Sequence, residues 1–520
     1  MRKWLPLTTV CLGTFVLLID VTIVNVALPD MQRDLGASFA ALQWVVDGYA
    51  LAMAALMLGA GTVADLIGHR RTYLAGLALF SAASLVCGIA ANPALLIAAR
   101  VVQGIGAAAM SCTTFALLNG SYSGRDRAAA YGLWGAVAGA SSAVGPIVGG
   151  VLTDLASWRW IFFVNLPVGA VAIALCAWVF DNDRAPRRGR IDAAGIATFT
   201  GAVAALTYAL VRAGEHGWSD AGTRGMLVAA VAGLAAFVAV ERRAPHAMFD
   251  LGLLRDRSFT GVLLAGGALF FAAFGALMYT QIWMQSVLGM SAIQAGLVGL
   301  PLSAMAFVVS GAIGRFLHGP NAGRVIGGGL LVIGVGGLAG ALLMHDDSDW
   351  PALVPGFLAI GLGVGLATAT LGSAATAAVS WERAGMATGA LNTAQQLGFT
   401  IAVATLGSAF TGRAAAVLAE HRVPDPDATA RAVAGGQAPV LLAHAPGLQE
   451  AVRAGAAAGV QGVLAVGGLV GLLGAAAAFV LMRSRGGERS EPDALEPGGE
   501  YREVAEGVQT RSAGGDSAQE

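Results

Sequence analysis

Apolar residues along this chain fall into runs of about twenty, separated by short stretches that are polar, glycine-rich or arginine-rich. Fourteen such runs can be traced, at 7–28, 43–64, 72–91, 94–119, 129–151, 159–180, 191–212, 224–241, 259–281, 295–316, 325–344, 353–379, 384–410 and 458–482. A helix of about 20 apolar residues crosses the hydrocarbon core of a bilayer. The pattern therefore predicts an all-α integral membrane protein with fourteen transmembrane helices. The first run follows Met1-Arg2-Lys3-Trp4, as a signal peptide would, but it extends to Leu28 and carries Asp20. It is read as an uncleaved first helix.

The polar stretches set orientation and grouping. Even-numbered loops hold Arg70 and Arg71, Arg125 and Arg127, Arg184, Arg187, Arg188 and Arg190, then Arg242, Arg243, Arg255 and Arg257, with Arg315, Arg324 and Arg383 further on. The short odd-numbered loops hold only Arg33, Arg159, Arg212 and Arg224. By the positive-inside rule both termini are cytoplasmic, as an even number of spans requires. Basic segments divide the runs into six, two and six. Residues 1–180 form a first six-helix bundle and 181–258 two additional helices with basic flanks. Residues 259–482 form a second six-helix bundle, with a long outer loop at 411–455 read as a partly helical flap, and 483–520 a disordered tail. Two sixes suggest an internal repeat. Gly311-Ala312-Ile313-Gly314-Arg315 closes run 10 much as Gly61-Thr62-Val63-Ala64-Asp65 closes run 2, with Arg where the first has Asp.

Composition agrees with the pattern. Of 520 residues, 56% are hydrophobic and 12% charged, half the charge of a soluble domain at about 25%. Cys11, Cys87, Cys112 and Cys176 all lie inside apolar runs, without metal-ligand spacing or a disulfide pattern.

Charges inside the runs carry the candidate chemistry, because a charge at membrane depth costs about 2.5–3.5 kcal/mol on insertion scales. Asp20 stands within run 1, in Leu18-Ile19-Asp20-Val21-Thr22-Ile23-Val24-Asn25. Asp47 lies near the outer end of run 2, and Arg100 deep in run 4, in Ala99-Arg100-Val101-Val102-Gln103-Gly104. At about 1.5 Å per residue, Asp20 lies roughly 12 Å, Arg100 roughly 10 Å and Asp47 roughly 7 Å below the outer boundary. A carboxyl poised between burial and an arginine can take up and release a proton. The alternative is an Asp held structurally by that arginine. Asn25, Gln103, Asn392, Gln395 and Gln396 are candidate polar groups of a substrate cavity.

Two further strings are more specific. Gly61-Thr62-Val63-Ala64-Asp65-Leu66-Ile67-Gly68-His69-Arg70-Arg71 joins runs 2 and 3, and its G-x-x-x-D-x-x-G-x-R-R spacing resembles the loop motif of the major facilitator superfamily. Run 5 carries Gly135, Gly139, Gly145-Pro146 and Gly149-Gly150. Close packing and a proline kink explain this string physically, yet it is also similar to the helix 5 motif of the antiporter branch. So is Trp158-Arg159-Trp160-Ile161-Phe162-Phe163-Val164-Asn165-Leu166-Pro167-Val168-Gly169. With fourteen runs, the chain resembles the fourteen-helix drug:proton antiporter family.

That resemblance implies a major facilitator fold, two six-helix bundles plus two inserted helices, exporting amphipathic drugs or natural products in exchange for protons. It implies that Asp20 and Arg100 match the acid of helix 1 and the arginine of helix 4. It also implies that Gly61, Asp65, Gly68, Arg70 and Arg71 form a latch between the halves. There Asp65 would meet the N-terminus of the helix after Ser380-Trp381-Glu382-Arg383, unless it only pairs with Arg70 locally. Relatives that export divalent cations carry an acid in helix 13. Gly385–Phe410 has none, which puts dicationic substrates in doubt.

No nucleotide-binding loop, zinc pair or nucleophile elbow occurs in the chain. The reading is a non-enzymatic, multi-pass protein of the cytoplasmic membrane, driven by an ion gradient and functional as a monomer. It uses no cofactor, metal or nucleic acid, and its partners are the bilayer, protons and a small-molecule substrate. Proton-coupled uptake of a polar solute, and a membrane enzyme or scaffold, remain as alternatives.

Overall fold

A computed structural model describes residues 2–37, 39–180, 192–245, 247–316, 322–380 and 383–482. The basic segment 181–191 and the tail 483–520 lie outside the described residues. The first helices are α1 (Leu5–Leu35), α2 (Phe39–Ile67), α3 (His69–Gly88), α4 (Pro93–Ser121) and α5 (Gly124–Leu155). Run 6 folds as two pieces, α6 (Trp160–Phe163) and α7 (Asn165–Val179). Then come α8 (Ala193–His216) and α9 (Ala221–Glu241). Run 9 is α10 (Arg257–Leu269) and α11 (Ala276–Ile282), joined and followed by π-helical turns at Phe270–Gly275 and Trp283–Val287. The remainder are α12 (Ala292–Phe316), α13 (Ala322–Leu343), α14 (Val354–Ala377), α15 (Ala384–Glu420), α16 (Pro426–Ala434), α17 (Ala438–His444) and α18 (Gln449–Leu481).

Thirteen segments among the described residues are long and apolar enough to span a membrane. Run 5 forms α5, a helix of 32 residues, whose stretch 135–152 carries no charged residue. The outer segment 411–455 is partly helical: α15 continues to Glu420, α18 begins at Gln449, and two short helices fill the interval.

Polar residues set the helix starts. Asn92 accepts the N–H of Leu95 at 2.9 Å ahead of Pro93, and Asp256 accepts from Ser258 at 2.7 Å and Phe259 at 3.2 Å. Each satisfies N–H groups that the first helical turn leaves free. Gly68, at φ +105°, breaks α2 from α3 where an L side chain would be strained.

In the packing, α1 lies against α5, α7 and α4, while α2 and α3 both pack on α4. Later in the chain, α13 packs on α14 and α18, α15 on α18, and α10 on α15 and α18. Cross-links between the two sets run through α2–α15, α4–α15 and α5–α12. α8 touches both α2 and α15, and α9 packs chiefly on α8.

Candidate functional site

Asp20 sits in the middle of α1 with no exposed surface, beside Arg100 of α4, which is 1% exposed. Arg100 Nη1 donates to Asp20 Oδ2 at 2.5 Å and to Gln103 Oε1 at 2.8 Å. Its Nε donates to the carbonyl of Val45 in α2 at 3.0 Å, and the guanidinium lies 4.2 Å from the ring centre of Tyr49. Asp20 Oδ1 accepts from Gln103 Nε2 at 2.8 Å and from Asn165 Nδ2, at the start of α7, at 3.0 Å. Ser84 of α3 accepts from the same two amides at 2.8 and 3.3 Å. One hydrogen-bond network around Asp20 thus joins five helices: α4 and α7 directly, and α2 and α3 through Arg100, Gln103 and Asn165.

Asp20 accepts these hydrogen bonds through both of its carboxyl oxygens. A proton on either oxygen would displace one of these donors, and a lone buried guanidinium is costly. Protonation and the arrangement of the five helices are therefore linked. The spacing of charges in the sequence located Asp20 and Arg100. Gln103, expected on a cavity wall, is instead fully buried and bonded to Asp20, because its place on α4 one turn beyond Arg100 points it at the same carboxylate. Ser84 and Asn165 were missed as partners, although Asn165 was visible as an amide in an apolar run. Asp47 is half-buried on α2, two residues beyond the Val45 carbonyl that Arg100 holds.

The loop motif forms a second site. Asp65, in the last turn of α2, accepts the N–H of Gly385 at 2.8 Å and of Met386 at 2.9 Å, using both oxygens. These are free N–H groups at the start of α15, where the partial positive charge of the helix favours a carboxylate. Gly61 and Gly385 allow the approach: a Cβ on Gly385 would lie 2.6 Å from both the Gly61 carbonyl and Asp65 Oδ1. His69 Nε2 stands 3.6 Å from Asp65 Oδ1. Arg70 reaches another helix, donating to the Ala177 carbonyl of α7 at 2.8 Å. Arg71 is exposed.

On the same side of the molecule, Asn119 of α4 donates to Thr376 of α14 at 2.8 Å and accepts from Tyr131 of α5 at 2.9 Å. A Cβ on Gly372 would meet the Phe115 ring, at 2.5 Å, and one on Gly132 the Ser310 carbonyl, also at 2.5 Å. Two seams, α2–α15 and α4–α5 against α12–α14, close the Asp65 side.

The glycines of α5 face two ways. A Cβ on Gly145 would lie 2.9 Å from Thr22 Cβ, and one on Gly149 would lie 2.8 Å from Ile23 Cγ1, both on α1 within a turn of Asp20. Gly135 instead faces Ser310 of α12, at 3.3 Å. A Cβ on Gly150 would meet open space. Gly139 and Pro146 lie within α5, but their surroundings, like the side chain of Asn25, are outside the described residues. Asn392, Gln395 and Gln396 are half-buried on α15, with Gln395 leaning on Gly266 of α10.

A family model of the Major Facilitator Superfamily matches residues 10–403. The chain belongs to the major facilitator superfamily. Membership makes it a multi-pass membrane transporter of small substrates rather than an enzyme. It is 38% identical over 426 residues to multidrug resistance protein Stp of Mycobacterium tuberculosis, covering 81% of this chain and 79% of that one. It is 36% identical to puromycin resistance protein pur8 of Streptomyces alboniger, over 81% of this chain and 84% of that one. A probable actinorhodin transporter of Streptomyces coelicolor is 35% identical, over 79% and 73%. Among solved structures, the human organic anion transporter MFSD10 superposes with a TM-score of 0.60 at 16% identity. That match covers 92% of this chain and 99% of the other, and it shows the shared major facilitator fold.

Proposed function

We propose that this transporter exports amphipathic drugs or natural products across the cytoplasmic membrane in exchange for protons, with Asp20 as the coupling carboxyl. The observation that carries the reading is the sealed Asp20–Arg100 site, a buried acid bonded to α4 and α7 in a hydrogen-bond network that extends through its partners to α2 and α3. Relatives named for multidrug resistance, puromycin resistance and actinorhodin transport supply the substrate class. A proton taken up from outside would release Arg100 and loosen α1 against α4. α5, packed on α1 beside Asp20 and on α12 through Gly135, is placed to carry that change to the later helices.

In this reading both termini and the Asp65 side face the cytoplasm, and Gly61, Asp65, Gly68, Arg70 and Arg71 latch that side. Residues 1–180 and 259–482 are the two moving bundles of a monomer. Asn25, Asn392, Gln395 and Gln396 offer hydrogen bonds to substrate in a largely apolar cavity. Exchange is tested in proteoliposomes by substrate movement driven by an imposed pH gradient. Asp20→Asn, which keeps the shape and removes the titrating group, is expected to abolish gradient-driven transport while purified protein stays monodisperse. Unchanged pH dependence in that variant would remove Asp20 as the coupling group.

A further inference from the structure

The connection from α9 to α10 lies against the latch rather than apart from it. Met248 is 1% exposed and Phe249 5% exposed. They pack in one apolar cluster with Leu58 of α2, Met386 and Ala390 of α15, Phe237 of α9 and Phe259 of α10. Thr62, one residue after the latch glycine Gly61, donates from its hydroxyl to the Met248 carbonyl at 3.1 Å. Asp250 Oδ2 lies 2.7 Å from Nη1 of Arg383, the residue that precedes α15. Glu241, closing α9, accepts the N–H of Phe249 at 3.3 Å and fixes the connector from the other side.

The start of α15 is therefore held by two carboxylates from different elements. Asp65 takes its backbone N–H groups and Asp250 takes the side chain just ahead of them. Between them Met248 and Phe249 fill the angle where α2 meets α15. We propose that the connector Met248–Asp256 is a third part of the closed gate, and that Met248, Phe249 and Asp250 are positioning residues for its opening. The two added helices then lie outside the substrate path and still set the balance between open and closed states. Opening this side separates α2 from α15, so the apolar cluster must split and the Asp250–Arg383 pair must break or travel with one partner. The Arg383 hydrogen bond holds the Asp250 carboxyl below the usual carboxylate range, so the pair persists across ordinary cytoplasmic pH.

The inference rests on the alternating export reading above, and the test separates the two. Nitroxide labels are placed at Ser123→Cys and Ala377→Cys, exposed positions on the two sides of the other seam. The four native cysteines are replaced by alanine, and distances are measured in nanodiscs. Phe249→Ala and Asp250→Asn are each expected to raise the long-distance, open population several-fold. Exchanging the charges in Asp250→Arg/Arg383→Asp is expected to restore the parent distribution, which a merely unfolded connector would not do. If Asp65→Asn raises the open population but neither connector variant does, the connector is no part of the gate. If Asp65→Asn also changes nothing, the latch and the alternation reading fall with it.

Discussion

The helices before Arg257 and those after it both approach one another closely at glycines but bury different things. Among the described residues, the buried charged side chains Asp20, His69, Arg100 and Glu241 all belong to the first part. After Arg257 the buried polar groups are hydroxyls, such as Thr280, Ser310, Thr388 and Thr400. Thr388 donates to Ala384 at 2.8 Å and Thr400 to Gln396 at 2.9 Å, each within its own helix. Where later side chains do bond across an interface, as Ser310 to the Gly365 carbonyl at 3.0 Å, Tyr279 to Val403 at 2.6 Å and Gln461 to Ala341 at 3.1 Å, donor and acceptor are both uncharged. α13 and α18 meet through glycine backbone, where a Cβ on Gly468 would lie 2.9 Å from the Gly334 carbonyl. Such contact stabilises through close dispersion packing and has no titrating member. The early helices instead share a hydrogen-bonded ion pair, which is a poor source of net stability but a sensitive one. Under the proposed exchange, protons would be read in the first region and answered by movement of the second.

Arg100→Leu should give the largest effect. Breaking a buried pair on one side costs about 3–5 kcal/mol, whereas replacing both partners with apolar groups is often neutral. Thermal unfolding in detergent should fall sharply for Arg100→Leu and recover in Asp20→Leu/Arg100→Leu, with transport lost in both. Equal stability of the single variant and the parent would show that the pair is not the sealed site described. A smaller effect belongs to the other region. In Gly471→Leu the new Cβ would lie 3.0 Å from the Gly334 backbone, and such overpacking costs about 1–3 kcal/mol. The melting temperature should drop while the pH profile of remaining transport stays in place. A shifted profile would mean that the later helices also read protons.

The smallest effect comes from a loop of the first region, away from the buried pair. Asp220 caps α9 and pairs with Arg212 at 2.7 Å, and its carboxyl is drawn from the ordinary 3.8 to about 2, first by Arg212 and then by the Thr223 N–H. A depressed folded-state value means that the contribution is present above pH about 4 and is lost as pH falls through about 2. Asp220→Asn should flatten the stability curve in that window and leave transport at neutral pH untouched. Unaltered acid sensitivity would assign that window to other carboxylates.

How legible this was in the sequence differs by kind of feature. Spans were readable because the bilayer demands apolar length, and each of the fourteen runs coincides with helix. Their ends were not, since α15 runs on past run 13 to Glu420 and α18 starts at Gln449, ahead of run 14. Asp20 and Arg100 stood out as charges where charges are expensive. Ser84 and the role of Gln103 did not, because neutral polar residues are ordinary in membrane helices and a partner on another helix depends on how the two cross. The contact of Asp65 with α15 was reachable only through the family resemblance, as 320 positions separate Asp65 from Gly385. The connector's place in the gate had no sequence signal, since Met248-Phe249 reads as a short apolar pair between arginines.

α15 runs unbroken for 37 residues, about 55 Å at 1.5 Å per residue, against a hydrocarbon core of about 30 Å. Asp65 grips one tip of this rod, and the other tip stands past the opposite membrane face at Glu420. A rod held so acts as a lever. Tilting it by about 10° at the gripped end carries the free end through about 10 Å. If the proposed gate opens at the Asp65 end, the far tip, with the short helices α16 and α17 beside it, would swing with it. A binder raised against that tip would act as a brake on transport without ever approaching the substrate.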